Sequence, residues 1–153
     1  MKRSVSIVSK AAVAVLVLIV MGSCASMTKR GYDGPPQEAE RTSIIVSGPY
    51  TEIERCDGVR LKSSELRVVV LPGKHTVEIA FPPRRTDIAF FFSNVTGLLT
   101  FDAEAGHRYL AVANLVLPDL WLAYIADQTT GKRVVESAPL PLKVEWIYRM
   151  DVP

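Results

Sequence analysis

Residues 66–81 read Leu-Arg-Val-Val-Val-Leu-Pro-Gly-Lys-His-Thr-Val-Glu-Ile-Ala-Phe. In the second half Val77, Ile79 and Phe81 alternate with Thr76 and Glu78, a period of two that sends one set to a core and leaves the other in water. Pro72-Gly73 interrupts the run. An L-proline at the first central turn position favours a type II turn, whose twist suits a tight hairpin poorly. A wider arch is therefore expected between 66–71 and 75–81, of a kind that crosses between two sheets.

Short apolar segments separated by turn residues continue in both directions at intervals of roughly ten residues, the spacing of an all-β sandwich or barrel. Upstream, Ile44-Ile45-Val46 ends at Ser47-Gly48-Pro49, and Asp57-Gly58, a strong hairpin signal, separates 50–56 from 59–61. Downstream, residues 109–115 are apolar on both faces, which predicts a central strand covered above and below. Ile88-Ala89-Phe90-Phe91-Phe92 and Leu98-Leu99-Thr100-Phe101, with Gly97 between, read as a hairpin. Pro118-Asp119 breaks the chain before 121–126, and 127–132 is a turn leading to Val134-Val135. In the last segment Val144, Trp146 and Tyr148 oppose Lys143, Glu145 and Arg149. The expectation is a single antiparallel β-sandwich over 43–153, with Val77, Ile79, Leu110, Val112 and Trp146 in its core.

The beginning of the chain has a different character. Lys2, Arg3 and Lys10 precede an apolar run from Ala11 to Met21, then small residues Gly22 and Ser23 and a cysteine, Cys24. A basic start, a short apolar stretch and small residues before a cut are the parts of a secretory signal. Eleven helical residues reach roughly 16 Å, well short of the ~30 Å hydrocarbon core, which argues against an uncleaved transmembrane helix. Met21-Gly22-Ser23-Cys24 resembles the lipobox of bacterial lipoproteins. That resemblance implies a cleaved signal over 1–23 and acyl chains on Cys24, so that the lipid bilayer is the first partner. Ala25 and Ser26 lack the aspartate associated with inner-membrane retention, which implies the outer membrane, facing the periplasm. From 24 to 42 the chain is polar and broken by Gly31, Gly34, Pro35 and Pro36, the composition of a flexible tether.

Of the 18 Lys and Arg residues, Lys2, Arg3 and Lys10 leave with such a signal, and the remaining 15 face 16 acidic residues. A near-neutral chain without a basic run does not support nucleic-acid binding. With Cys24 lipidated, Cys56 is a lone thiol, read as a small buried hydrophobe; an activating partner would have to come from His75 or His107 through folding.

The candidate chemistry is thin. His75 and His107 stand at strand starts, and Asp102 and Glu104 near His107 fit a solvated face, so neither a metal site nor a cofactor is expected. Thr130-Gly131-Lys132 lacks the earlier glycine and the following Ser or Thr of a phosphate-binding loop. No catalytic residue is assigned. Phe90, Phe91 and Phe92, with Leu98 and Leu99, are the candidate partner-binding residues, because alternation cannot keep three consecutive rings on one face.

Asp57-Gly58, Pro72-Gly73-Lys74-His75 and Ala103-Glu104-Ala105-Gly106-His107-Arg108-Tyr109, with Asp127 and Thr130-Gly131, give the domain a likeness to small bacterial lipoproteins with PEGA-like β modules. The resemblance implies a β-sandwich and transfers no catalytic residues. It places an aliphatic residue before Asp-Gly where this chain has Cys56, consistent with a buried thiol. The expected function is thus a membrane-anchored, non-enzymatic envelope lipoprotein whose β domain binds an envelope protein partner or serves as an assembly module. The alternatives are a carrier of a small hydrophobic ligand or lipid and, third, a hydrolase; a closed apolar cavity or polar groups converging on a histidine would favour these in turn.

Overall fold

The structure, a computed structural model, describes residues 28–147. The signal, Cys24 and Tyr148 lie outside them. In chain order the strands are β1 (Thr28–Arg30), β2 (Ser43–Ser47), β3 (Glu52–Cys56), β4 (Val59–Arg60), β5 (Arg67–Val70), β6 (Gly73–Ala80) and β7 (Arg84–Arg85). They continue with β8 (Ala89–Phe92), β9 (Gly97–Ala103), β10 (Arg108–Leu117), β11 (Leu120–Asp127), β12 (Lys132–Glu136), β13 (Leu140–Pro141) and β14 (Lys143–Trp146). A three-residue 3-10 turn, Ala39–Arg41, is the only helical element among the described residues.

The strands form three sheets. The largest has the order β1-β5-β2-β10-β11-β12, with β13 added to β11; the second is β4-β3-β6-β9; the third, small one is β14-β8-β7. The first two make the sandwich. Their inner faces meet through Phe101 on Tyr109, ring centroids 4.9 Å apart, and Phe81 on Trp121, 5.9 Å apart. Gly97 is required by this approach: a Cβ there would lie 2.5 Å from the Ala123 Cβ. The core is one contiguous cluster that includes Ile45, Val68, Val70, Ala111 and Ile125 from one sheet and Ile53, Val77, Ile79 and Leu99 from the other. Each fully buried aliphatic chain contributes about 1.5–3 kcal/mol relative to exposure.

Pro72-Gly73 does cross between sheets, since β5 belongs to the first and β6 to the second. Gly73 adopts φ 132°, a conformation that glycine takes without steric penalty. Asp57-Gly58 closes a two-residue hairpin with both residues at positive φ, 50° and 77°, and Cys56 opposite Val59. Pairing is antiparallel except for β1 with β5 and β2 with β10, which run parallel.

Several expectations change. β10 is central by pairing, between β2 and β11, but it is covered on one face only: Tyr109, Ala111 and Ala113 are buried while Leu110 and Val112 are half-buried on the outer face. The second sheet covers one side of the first, and apolar outer residues there lie beside neighbours such as Tyr124, opposite Val112. Trp146 is not core but 68% exposed, because β14 belongs to the small sheet and its end overhangs the sandwich. The stretch 88–101 is no hairpin, since β8 pairs with β14 and β7 whereas β9 pairs with β6. Ordered structure also begins before Ser43: β1 lines up along β5, and the Gly31 N–H donates to Val69 O at 2.8 Å.

Candidate functional site

Two histidine–carboxylate pairs lie at one end of the sandwich, where β6 and β10 begin. The Asp57 turn faces the start of β6 because Cys56 pairs with Val77. Asp57 Oδ1 accepts from the Thr76 N–H at 2.8 Å, and Oδ2 lies 2.6 Å from His75 Nδ1. His75 Nε2 lies 2.6 Å from Leu71 O. The Cys56 thiol donates to Asp57 Oδ2 over 3.9 Å, which gathers Cys56, Asp57 and His75 into a trio of potential metal ligands. The chemistry of the trio does not fit a metal. Burial first, then the adjacent Asp57 carboxylate, push the Cys56 thiol up to about 12, whereas a metal needs thiolate. Both His75 nitrogens are already turned toward protein oxygens, Asp57 Oδ2 and Leu71 O, so neither faces an open ligand position.

The thiol is therefore a buried hydrophobe with one weak polar contact, as expected for the position before Asp-Gly. In the native protein at pH 8, Cys56 is expected to resist alkylation until denaturant is added, followed by intact-mass measurement over time. Rapid labelling of folded protein would overturn this assignment.

The second pair is built on the turn after β11. Asp127 Oδ1 accepts from the Thr129 N–H at 2.8 Å, and Oδ2 accepts from Thr130 Oγ1 at 2.7 Å and lies 3.0 Å from His107 Nδ1. Burial opposes ionisation of Asp127, but bonds from the Thr130 hydroxyl, the Thr129 N–H, His107 and the Thr130 N–H outweigh it and hold the carboxyl at about 2. His107 stacks on Tyr109, whose hydroxyl accepts from the Glu104 N–H at 2.8 Å. Glu104 Oε2 is 3.6 Å from His107 Nε2. Asp102 stays on the exposed outer face of β9. The arrangement staples the β11–β12 turn to the start of β10.

Sequence spacing did not reveal these partners. Asp57 and His75 are brought together only by the β3–β6 register, and Asp127 reaches His107 only through the β10–β11 pairing.

The aromatic run lies at the other end. In β8, Ala89 is buried and Phe91 packs against the core together with Val144, its partner on β14. Phe90 and Phe92 share the opposite face, ring centroids 5.5 Å apart. The Lys143 Nζ lies 5.6 Å from the Phe92 centroid, and Arg85 and Glu145 flank Phe90. Beyond them Ile88, Trp146 and Ile147 are exposed. A depression of about 450 Å³ is lined by Arg85, Phe90, Glu145, Trp146 and Ile147. Leu98 and Leu99 separate: Leu98 is 63% exposed on the outer face of β9, and Leu99 is core at 2%. A larger depression, about 530 Å³, is formed by 29–34 and Val59 beside β1.

Of the five sequence candidates, then, Phe90 and Phe92 share a surface, Phe91 and Leu99 face inward, and Leu98 belongs to another sheet. The residue sequence reading missed is Trp146, whose alternation with Val144 looks like a core pattern. Compared with family models, curated proteins and solved structures, the chain finds no match.

Proposed function

We propose that the protein is an envelope lipoprotein, held in the outer membrane by acylated Cys24, whose sandwich acts by binding a protein partner. The observation that carries the binding part is the cluster of Ile88, Trp146 and Ile147 beside Phe90, all at one end of the small sheet and flanked by Arg85 and Glu145. Exposed tryptophan with a charged rim is the composition of an interface centre, where a large ring loses water at little entropic expense. The anchoring part is supported by the signal and lipobox pattern. A carrier role draws less support, since the sandwich interior is occupied by its own contiguous cluster of side chains.

Two variants test the reading separately. Cys24→Ala is expected to abolish acyl labelling in cells; undiminished labelling would overturn the anchor. Trp146→Ser is expected to leave stability within about 0.5 kcal/mol, as for exposed positions in general, while crosslinking in the intact envelope recovers less partner. Equal recovery would remove the small sheet from the interface.

A further inference from the structure

Strand pairing fixes which end of the sandwich the anchored terminus enters. Thr28 lies opposite Arg67, Arg67 opposite Val46, and Val46 opposite Leu110. β1 and β10 run in opposite directions, so the chain enters β1 from the end toward which β10 leaves for its hairpin with β11. Only Ala25, Ser26 and Met27 separate Cys24 from Thr28. Four Cα steps span at most about 14 Å, so Cys24 stays within that distance of Thr28.

The β10–β11 hairpin turns at this end, with β13 beside its second strand. β2 accompanies β10 only as far as Ala111, whereas β11 is covered by β12 along 124–127 and by β13 at Leu120 and Trp121, so the β10 edge is the one left without a neighbouring strand. From Asn114 to Asp119 every residue is exposed, whereas across the ribbon Trp121, opposite Leu115, is fully buried. The sequence there is Asn-Leu-Val-Leu-Pro-Asp, and Leu115, Val116 and Leu117 are 40, 41 and 56% exposed. The tip stands about 27 Å beyond the level of Leu110 along the strands, and about 14 Å to the side of β1 across three strand spacings. With Cys24 at most about 14 Å past Thr28, about 13 Å remains along the strands over about 14 Å across them, so a tilt of at least about 40° brings the tip and Cys24 to one plane.

The surroundings suit a lipid surface. Phe81 packs at a tilt against Trp121 at this end, and the chain then leads through Pro82-Pro83 to Arg84, which lies 3.8 Å over the exposed Tyr50 ring. Lys143 follows Leu142, whose N–H bonds Asp119 O at 2.8 Å. Lys143 beside the turn, with the Tyr50–Arg84 pair set back near the level of Ala113, supplies the basic and aromatic side chains of a headgroup boundary, where apolar groups insert and cations meet phosphates. Asp119 in the turn confines insertion to a shallow depth. The opposite end carries Glu104, His107, Asp127 and Thr130 instead.

We propose that the hairpin tip Leu115–Leu117 seats in the interface of the same bilayer that holds Cys24, fixing which end of the domain faces the membrane. This rests on the lipid-anchor reading. The test uses the mature acylated protein with Cys56→Ala, bearing Leu117→Cys or Thr130→Cys labelled with an environment-sensitive fluorophore. Each is reconstituted into phosphatidylethanolamine–phosphatidylglycerol vesicles with nitroxide lipids. The label at 117 is expected to shift to the blue and to be quenched at least twofold more than the label at 130. A water-like, unquenched label at 117 on protein whose Cys24 acylation is verified by mass spectrometry overturns this proposal alone. Unacylated Cys24 overturns the anchor and this proposal with it. A shift at 117 that appears only on adding envelope proteins identifies a protein contact and overturns the lipid assignment.

Discussion

Replacing Trp121 by alanine is expected to remove about 3–5 kcal/mol of folding free energy, a large part of the ~5–15 kcal/mol typical of a domain. Trp121 is fully buried. Its ring packs on Phe81 from the second sheet, and its Nε1 donates to Ser93 Oγ at 3.1 Å, just after β8. One side chain thus joins all three sheets. Truncation removes the apolar contact, leaves a void between sheets too rigid to collapse, and releases the Ser93 turn. Trp121→Phe keeps a ring and is expected to lose less, with the missing N–H bond as the main deficit. Urea denaturation of the domain measures both. A loss below about 1 kcal/mol for the alanine variant would show that the sheets close over the gap, contrary to ordinary core behaviour.

The second large effect is expected at Asp127. Asp127→Ala leaves the Thr129 and Thr130 donors and the half-buried His107 without their common acceptor; both threonines are exposed and can turn to water, so the expected loss is about 1–3 kcal/mol. The wild-type pH dependence follows from the same group. Its carboxyl is held at about 2 in the folded state against a model value of 3.8. A depressed carboxyl contributes stability that is complete above the unfolded value and fades as pH falls through the folded one. About 2 kcal/mol is therefore expected to disappear between roughly pH 5 and pH 2. Asp127→Ala should flatten that part of the profile. Denaturant melts at pH 6, 4 and 2.5 check it, and an unchanged slope in the variant would assign acid sensitivity to other carboxylates.

Much of the architecture was legible because it rests on local rules. Alternation at Val77, Ile79 and Phe81 located a strand, Asp57-Gly58 a hairpin, and Pro72-Gly73 a passage between sheets. What failed depends on partners distant in sequence. Gly97 looks like a hairpin glycine beside Leu98, yet it is small because Ala123 of the facing sheet approaches it. Residues 109–115 are apolar throughout, but apolarity does not reveal that the second sheet covers one side. Trp146 follows the period of Val144 and still emerges into solvent, because a strand's alternation persists past the edge of what it covers. The two histidines were visible as candidates, and Asp57 and Asp127 were not, since strand register alone brings each carboxylate to its imidazole.

The parallel pairing of β2 with β10 also governs how the domain forms. Ile44 meets Arg108 only after about 60 intervening residues have been gathered into a closed loop, whose entropy must be lost before the ladder returns any favourable energy. β1 and β5 in turn pair alongside β2, so the larger sheet cannot be completed until the β10 segment is available. Non-local pairing of this kind places the domain among slow folders, on millisecond-to-second timescales. The first half of the larger sheet thus waits for its second, and closes only once residues beyond 108 have emerged.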